Sequence, residues 1–238
     1  MTPELALLAA FGLDLALGDP AGWPHPVRAM GWAIQRLEAP FRRLGIPLRG
    51  SGALFTLTLV GGAWILAAAV CRMAAGLAPV LGWAVQAALL ATCLSVRSLE
   101  EAGRTVARAL EGQGLEAGRR AVSMIVGRET DRLDAAGVSR AAVESVAENL
   151  VDGVVAPLFF AALGGAPLAL AYKMVNTLDS MVGYRSPRYR EFGWASARLD
   201  DLAHLLGRRQ TVGPRALPDP VRGGHGVAVE AADRGHVG

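Results

Sequence analysis

Lysine is nearly absent from this sequence: of its 24 basic residues only Lys173 is a lysine, and the formal net charge is +3. No basic run with interleaved aromatic residues occurs, so nothing indicates nucleic-acid binding. The spacing of the two cysteines, Cys71 and Cys93, matches no metal motif, and both fit small buried hydrophobic residues. The Gly-x-x-x-x-Gly-Lys loop is also missing, so nucleotide binding of the common P-loop kind is excluded.

Charged side chains are absent from two long stretches, residues 52–71 and 77–96. Each has about 20 residues, which at about 1.5 Å per residue covers the roughly 30 Å hydrocarbon core of a bilayer. A soluble helix of this length would normally show a polar stripe. We therefore predict a membrane protein with a further short membrane segment at residues 5–17. That segment does not resemble a signal peptide, because Glu4 stands where a basic residue is expected and Asp14 interrupts the apolar run.

Strand-like alternation of useful length is absent as well, so the predicted fold is all-α: a multi-pass membrane protein with a cytoplasmic helical segment at residues 97–151. The loop 18–51 contains five arginines and the connection between the two spans only Arg72, which places that loop and the 97–151 segment in the cytoplasm. Gly112 and Gly114 are predicted to end a first cytoplasmic helix. A second helix is predicted over residues 115–126, and Ser139 is predicted to cap a third over 140–151.

A third apolar stretch, residues 154–171, is broken in its middle by Gly164, Gly165 and Pro167. Each of the two pieces has about ten residues and is too short to cross a bilayer alone. A re-entrant hairpin would return the polar residues after Lys173 to the cytoplasm, whereas a continuous span would place them outside. The pattern favours re-entry and leaves both topologies open.

Three groups of polar residues are candidates for chemistry, and the first consists of Asp14, Asp19, His25 and Arg28. Asp14 lies in an apolar segment, where a carboxylate is costly and usually functional. Prolines stiffen the loop that follows and would hold the other three in a fixed geometry. The alternative is a structured turn at the membrane surface, with Arg28 on a lipid phosphate.

The second group, Glu144, Glu148 and Asp152, has four-residue spacing and lies on one face of the predicted helix, with Asn149 beside it. Three like charges on one stripe repel one another unless a cation lies among them. Hard oxygen ligands of this kind suit Mg²⁺. An ordinary acidic surface face is the alternative.

The third group begins with Lys173, Asn176 and Asp179, which share one face if the segment is helical. The compact charge of the lysine suits a phosphate group. Further candidates follow along the chain: Tyr184, Arg185, Arg188, Asp200 and Asp201. The arginines and the tyrosine are suited to phosphates and a flat aromatic group. The alternative, a basic juxtamembrane segment that binds anionic lipid, is opposed by the aspartates.

Several ordered blocks resemble the adenosylcobinamide-phosphate synthases of cobalamin biosynthesis: DLALGDP, WPHPVRAMGWAI, AVSMIVGRETDRLD, VESVAENLVDGVVAPLFF and YKMVNTLDSMVGYRSPRYREFGWASARLDDLAHL. The resemblance covers about residues 13–206. It implies an ATP-dependent amide ligation that joins aminopropanol, free or as its phosphate, to a propionate carboxylate of adenosylcobyric acid. Activation of that carboxylate as an acyl phosphate would require Mg²⁺ and cations on the transferred phosphoryl group.

The implied chemistry gives the candidate residues hypothetical roles. The metal ligands would be Glu144, Glu148 and Asp152. The catalytic candidates are Asp14, Asp19, His25, Lys173 and Asp179, with His25 as acceptor of the amine proton. The candidates for substrate binding are Arg28, Asn149, Asn176, Tyr184, Arg185, Arg188, Asp200 and Asp201. Mg²⁺ is the expected cofactor, and ATP the expected co-substrate.

The expected setting is the cell membrane, with the lipid bilayer, adenosylcobyric acid and aminopropanol or its phosphate as partners and no nucleic acid. An association with other corrinoid-pathway enzymes is a further expectation. The synthase domain is placed at residues 1–206. Residues 207–238, rich in glycine and without an apolar run, are expected to be disordered and look like a truncated or frame-altered tail.

Two rival functions stay open. The first is a membrane phosphotransferase of the CDP-alcohol type, whose Asp-Gly-x-x-Ala-Arg motif begins at Asp152 but fails at Pro157. The second is a non-catalytic membrane subunit or transporter, for which buried charges and a broken helix are also expected.

Overall fold

The computed structural model describes residues 3–18 and 25–208 of the chain. Within these ranges the protein consists of α-helices and one π-helical turn, without a β-strand. The helices are α1 (Pro3–Leu17), α2 (Pro26–Arg42), α3 (Leu48–Leu77), α4 (Pro79–Ala91), α5 (Val96–Gln113), α6 (Leu115–Ser123), α7 (Ala135–Leu150), α8 (Ala156–Val182) and α9 (Trp194–Arg208). The π-helical turn Val151–Val155 joins α7 to α8. The predicted all-α fold is confirmed, while Asp19 and residues 209–238 of the predicted tail lie outside the described residues.

Three helical segments of the described chain are long and apolar enough to cross a membrane: Leu48–Leu77, Pro79–Gln113 and Ala135–Val182. The first is α3, whose 30 residues contain the predicted span 52–71. α4 packs so closely on α3 that a β-carbon added to Gly82 would lie 2.6 Å from that of Ala75. The predicted span 77–96 is interrupted, because α4 ends at Ala91 and a new helix, α5, begins at Val96.

The third apolar segment reverses its direction. Gly164 and Gly165 leave helical geometry, and Gly165 adopts φ +67°. The rings of Phe160 and Tyr172 stack with their centroids 4.9 Å apart, whereas a straight helix would separate the two residues by about 18 Å. The favoured hairpin is therefore confirmed as a chain reversal. We call residues 151–182 the α8 hairpin.

The tip of the α8 hairpin lies against the middle of α4. A β-carbon added to Gly165 would lie 3.0 Å from the side-chain nitrogen of Gln86. Gln86 is a polar residue within the apolar helix α4, which begins just after the turn at Ala78. Ala78 lies roughly 12 Å from Gln86, toward the start of α4, at about 1.5 Å per residue. The hairpin therefore stops short of the end of the α3–α4 pair, as a re-entrant segment does.

The helices α5, α6 and α7 share a small core of their own, built from Val106, Val122, Val138, Ala141 and Ala142. As predicted, α5 ends at the two glycines: it runs through Gly112 to Gln113, and Gly114 is its C-cap at φ +89°. The predicted end of α6 at residue 126 is wrong, because the helix stops at Ser123. The chain turns there, and the hydroxyl of Ser145 donates to the backbone oxygen of Ile125.

The predicted start of α7 is also wrong. The helix begins at Ala135, because the carboxylate of Asp134 accepts a hydrogen bond from the backbone N–H of Gly137 at 2.7 Å and caps it. Ser139, the predicted cap, is already inside the helix, where its hydroxyl donates to the Ala135 carbonyl.

α9 is held against α3 by the loop of residues 183–193. A β-carbon added to Gly52 of α3 would overlap the carbonyl oxygen of Phe192, so this close approach requires glycine. One helical turn along α3, the hydroxyls of Thr56 and Ser196 share a buried hydrogen bond of 2.8 Å. These contacts fix α9 beside the α8 hairpin.

Glu38 on α2 anchors the same loop. Its carboxylate accepts hydrogen bonds from Arg42 at 2.8 Å, from Arg188 at 3.1 Å and from the Tyr189 hydroxyl at 3.4 Å. Burial, with the Glu38 charge, raises the pKa of Tyr189, so that its hydroxyl stays protonated as a donor. The guanidinium of Arg42 also lies 4.2 Å from the ring centroid of Phe192.

Candidate functional site

Polar residues from the π-helical turn, the second arm of the α8 hairpin and α9 meet near the open ends of the hairpin. We call this group the polar cluster, and its members are Asp152, Lys173, Asn176, Asp179, Asp200, Asp201 and His204. The sequence predicts six of them as site residues, in two separate groups. The chain reversal and the docking of α9 bring them together.

Asp152 is the residue that joins the three elements. One of its carboxylate oxygens accepts a hydrogen bond from the Asn176 side chain at 3.4 Å, and the other lies 3.4 Å from His204 Nε2. The π-helical turn widens the helix at this point and changes the direction in which its residues face. The backbone N–H of Ser95 donates to the Gly153 carbonyl at 2.9 Å and holds the turn in place.

Asp200 and His204 form a pair on one face of α9, four residues apart. Asp200 is only 8% exposed, and its Oδ2 lies 3.2 Å from His204 Nε2. Its second oxygen, Oδ1, is buried and has no hydrogen-bond partner in the part of the chain that the structure describes. Because carboxylates of Asp152 and Asp200 both face His204 Nε2, we infer that this nitrogen carries a hydrogen.

Tyr172 lies beside this pair and is 3% exposed. Its side chain packs with Ala156, Phe160 and Ala203. Its hydroxyl interacts electrostatically with Asp152 and Asp200, and it has no hydrogen-bond partner among the described residues. A buried donor and a buried acceptor thus stand unpaired in the same region.

The remaining members of the polar cluster set its charge. Lys173 is partly buried, with Cys93 and Asp152 as its electrostatic neighbours. Asp179 interacts with Asp200, Asp201 and Asp152, and Asp201 is exposed. The cluster therefore combines four carboxylates with one lysine and one histidine, an excess of negative charge that attracts cations.

The second group of predicted residues does not converge on one point. Glu144 is half-exposed and forms an ion pair with Arg128 at 2.7 Å, and Glu148 is exposed. Asn149 donates to the backbone of Ser145. The π-helical turn directs Asp152 toward Asn176 and His204 instead. No three Asp, Glu, His or Cys side chains of the described ranges are grouped to hold an ion. Metal binding by Glu144 and Glu148 stays a prediction.

In the first group of predicted residues, Asp14 and His25 accept hydrogen bonds at the starts of two helices. Asp14 is 4% exposed, and its carboxylate accepts hydrogen bonds from the backbone N–H groups of Val96 at 2.8 Å and Arg97 at 3.3 Å. It therefore caps α5, which explains a buried carboxylate in an apolar segment without catalysis. His25 Nδ1 accepts from the first turn of α2, and Arg28 on that turn is exposed. Asp19 lies outside the described residues, and catalytic roles for this group stay predictions.

Tyr184, Arg185 and Arg188 lie on the loop that follows Asp179. The first two are exposed, and the backbone of Gly183 immediately before them donates to the Asp179 carbonyl at 2.8 Å. These two residues therefore lie at the rim of the polar cluster. Arg188 is tied to Glu38 instead.

Sequence reasoning missed His204 and Tyr172 as site residues. A usable signal for His204 was its position four residues after Asp200 on an amphipathic helix. Tyr172 gave no signal, because an aromatic residue at the end of an apolar run fits an ordinary core position.

Comparison with known proteins relates the whole chain to one family. The family described as CobD/Cbib protein matches residues 7–234. The "Cobalamin biosynthesis protein CobD" of Klebsiella pneumoniae subsp. pneumoniae is 48% identical over 208 residues, which cover 86% of this chain and 65% of that protein. The corresponding CobD of Citrobacter koseri and the "Cobalamin biosynthesis protein CbiB" of Salmonella typhimurium are each 47% identical with the same coverage.

The chain spans about two thirds of the length of these curated relatives, 65% in each case. No solved structure matches it significantly. The family match extends beyond residues 13–206, which carry the resemblance seen in the sequence, and it covers nearly the whole chain. By this match, and by its identity to the curated relatives, the chain belongs to the CobD/Cbib protein family.

Proposed function

We propose that this protein catalyses an ATP-dependent amide ligation of cobalamin biosynthesis at the cell membrane. It would join aminopropanol, free or phosphorylated, to a propionate carboxylate of adenosylcobyric acid. The observation that carries the proposal is the polar cluster, where a lysine and a histidine lie among carboxylates at the open end of a membrane hairpin. The names of the curated relatives, which are cobalamin biosynthesis proteins, support it.

Amide formation from a carboxylate needs two kinds of help. The carboxylate must first become an acyl phosphate, and cations must stabilise the charge on the phosphoryl group during its transfer. The amine must then lose a proton before it can attack. Lys173 is suited to the first task, together with Arg185 at the rim. His204 is suited to the second.

The donor types of the polar cluster fit Mg²⁺ that arrives with the nucleotide. Magnesium prefers oxygen ligands and is commonly bound by one or two carboxylates together with substrate phosphates and water. Asp179 and Asp201 would hold it, because Asp201 is exposed, Asp179 interacts with it, and the loop with Arg185 follows Asp179 in the chain. A magnesium ion there would neutralise charge on the transferred phosphoryl group.

The test uses the full chain, purified in detergent and supplied with adenosylcobyric acid, aminopropanol phosphate and Mg-ATP. Release of ADP that depends on both other substrates, with formation of the amide, is the expected result. Release of CMP from a CDP-alcohol would favour the phosphotransferase. Substrate binding without ATP hydrolysis would favour a non-catalytic subunit or transporter.

Two substitutions locate the site in the same assay. Lys173→Met should lower turnover at least about 100-fold, the scale reported for removal of one transition-state electrostatic group. Glu148→Gln tests the acidic stripe on α7, and a loss of the same size there would move the metal site to that stripe. Glu111→Gln, an exposed carboxylate on α5, is the matched control and should keep turnover.

A further inference from the structure

Two polar atoms of the site region are buried without a hydrogen-bond partner in the described chain: the acceptor Asp200 Oδ1 and the hydroxyl of Tyr172. Both residues are more than nine-tenths buried, at 8% and 3% exposure. Leaving such groups unpaired is unfavourable, and each of them calls for a partner that the described side chains do not supply.

The two atoms belong to one small region. Tyr172 packs with Ala203, which lies one helical turn after Asp200 on α9, and its hydroxyl is an electrostatic neighbour of Asp200. The surrounding side chains of Ala156 and Phe160 are apolar. The region therefore offers a carboxylate and a hydroxyl that interact electrostatically, together with apolar side chains.

Its charge selects a cation. The carboxylates of Asp152 and Asp200 are the charged groups that interact with the Tyr172 hydroxyl, whereas the electrostatic neighbours of Lys173, the next residue along the helix, are Cys93 and Asp152. A primary ammonium group supplies three N–H donors, which suit Asp200 Oδ1 and the oxygen of Tyr172. The apolar side chains suit a short carbon skeleton.

We propose that Asp200 and Tyr172 bind the ammonium group of the amine substrate, and that His204 is the base that removes its proton. This inference rests on the proposed function and names the amine site within it. The substrate class is a small primary amine with a short alkyl chain.

His204 shares the carboxylate of Asp200 with this site. Its Nε2 lies 3.4 Å from Asp152 and 3.2 Å from Asp200, so the neutral ring keeps its hydrogen on Nε2 and Nδ1 is the basic nitrogen. The same two carboxylates stabilise the imidazolium that forms when Nδ1 accepts a proton.

In the amide-forming step, each bond that forms is matched by one that breaks. The ammonium group gives one proton to His204, and the neutral amine attacks the carbonyl carbon of the acyl phosphate that ATP has formed. A carbon–nitrogen bond forms. The bond between the carbonyl carbon and the phosphate oxygen breaks, and its electron pair leaves with inorganic phosphate. The nitrogen then releases a second proton to the departing phosphate.

Hydroxylamine separates activation of the carboxylate by ATP from deprotonation of the amine. It is a nucleophile that is largely unprotonated at neutral pH and needs no base. Wild-type protein with adenosylcobyric acid and Mg-ATP should form the hydroxamate. His204→Gln should keep this rate within about threefold, yet lose about 100-fold or more in kcat with aminopropanol phosphate, the usual contribution of a general base. Equal losses with both nucleophiles, or no loss with the amine, would overturn the role of His204. No hydroxamate from wild-type protein would instead count against the proposed function.

Ammonium recognition is tested by ligand binding, first with the wild-type protein. Aminopropanol phosphate should bind wild-type protein at least about tenfold more tightly than propanediol phosphate, which replaces the amine by a hydroxyl, because a buried charge-assisted hydrogen bond is lost. Asp200→Asn should remove that preference by raising the Kd of the amine, while Glu111→Gln should retain it. Equal binding of the two phosphates by wild-type protein would refute the ammonium site.

Discussion

The contact between Gly52 and the loop before α9 allows a sharp test of how the polar cluster is positioned. In Gly52→Ala the added β-carbon would lie 2.7 Å from the carbonyl carbon of Phe192 and would overlap its oxygen. Ordinary carbon–carbon contacts need about 3.5 Å, so the backbone of the loop must move by roughly 1 Å. Overpacking of this kind costs about 1–3 kcal/mol.

Part of that cost is offset, since alanine is favoured over glycine inside a helix by about 0.5–1 kcal/mol. A net loss of about 1–2 kcal/mol remains, which for a protein of this size lowers the melting temperature by about 2–8 °C. Turnover should fall with it, because Asp200 and His204 are carried on α9 directly behind the displaced loop. Thermal unfolding in detergent and the ligation assay measure the two effects.

Gly61→Ala is the matched control, because Gly61 lies on the same helix and a β-carbon there meets nothing within 4 Å. It should melt at or slightly above the wild-type temperature. If Gly52→Ala melted no lower than Gly61→Ala, the close approach of Phe192 would not be a constraint on the fold, and the reasoning would be refuted.

Substitutions at three other places test features of the fold by thermal unfolding. Asp14→Ala should cost about 1 kcal/mol by removing the cap of α5, and Asp14→Asn should cost much less; equal losses would contradict a capping role. Gly165→Ala should cost about 1–2 kcal/mol, because the reversal needs a left-handed backbone at that residue, and an unchanged melting temperature would argue against this geometry. Thr56→Val should cost about 1–3 kcal/mol by leaving the Ser196 hydroxyl without this partner, whereas Ser196→Ala should cost less, because the Thr56 hydroxyl still donates to the Gly52 carbonyl; the double variant should cost less than the sum of the two, and strict additivity would deny the bond.

The parts of the fold that the sequence predicts correctly depend on local signals. Absence of charge over a span-length stretch predicts the apolar part of α3, and paired glycines predict both the end of α5 and the reversal at Gly164. The start of α7 is missed because two capping residues, Asp134 and Ser139, precede the same apolar stripe. Tertiary packing decides between them: Val138 is fully buried against α5 and α6, and a helix that began after Ser139 would leave it out.

The candidate site is predicted in composition but not in grouping. Spacing along one helix assigned Asp152 to Glu144 and Glu148, whereas the structure pairs it with Asn176 and His204. A π-helical turn has no recognisable spacing in a sequence, and the contact across the hairpin depends on how two arms pack. The type of each site residue can be seen in the sequence, whereas the meeting of these residues in space depends on how the whole chain packs.

The split of the polar cluster between the α8 hairpin and α9 has a consequence for biogenesis. Asp152 and Lys173 emerge from the ribosome well before His204, so the hairpin can enter the bilayer while its carboxylates still lack their α9 partners. Domains generally fold in order of synthesis, and the polar cluster can therefore form only after α9 has followed the hairpin. A chain that ended before residue 194 would contain the hairpin but would lack Asp200, Asp201 and His204 of the polar cluster.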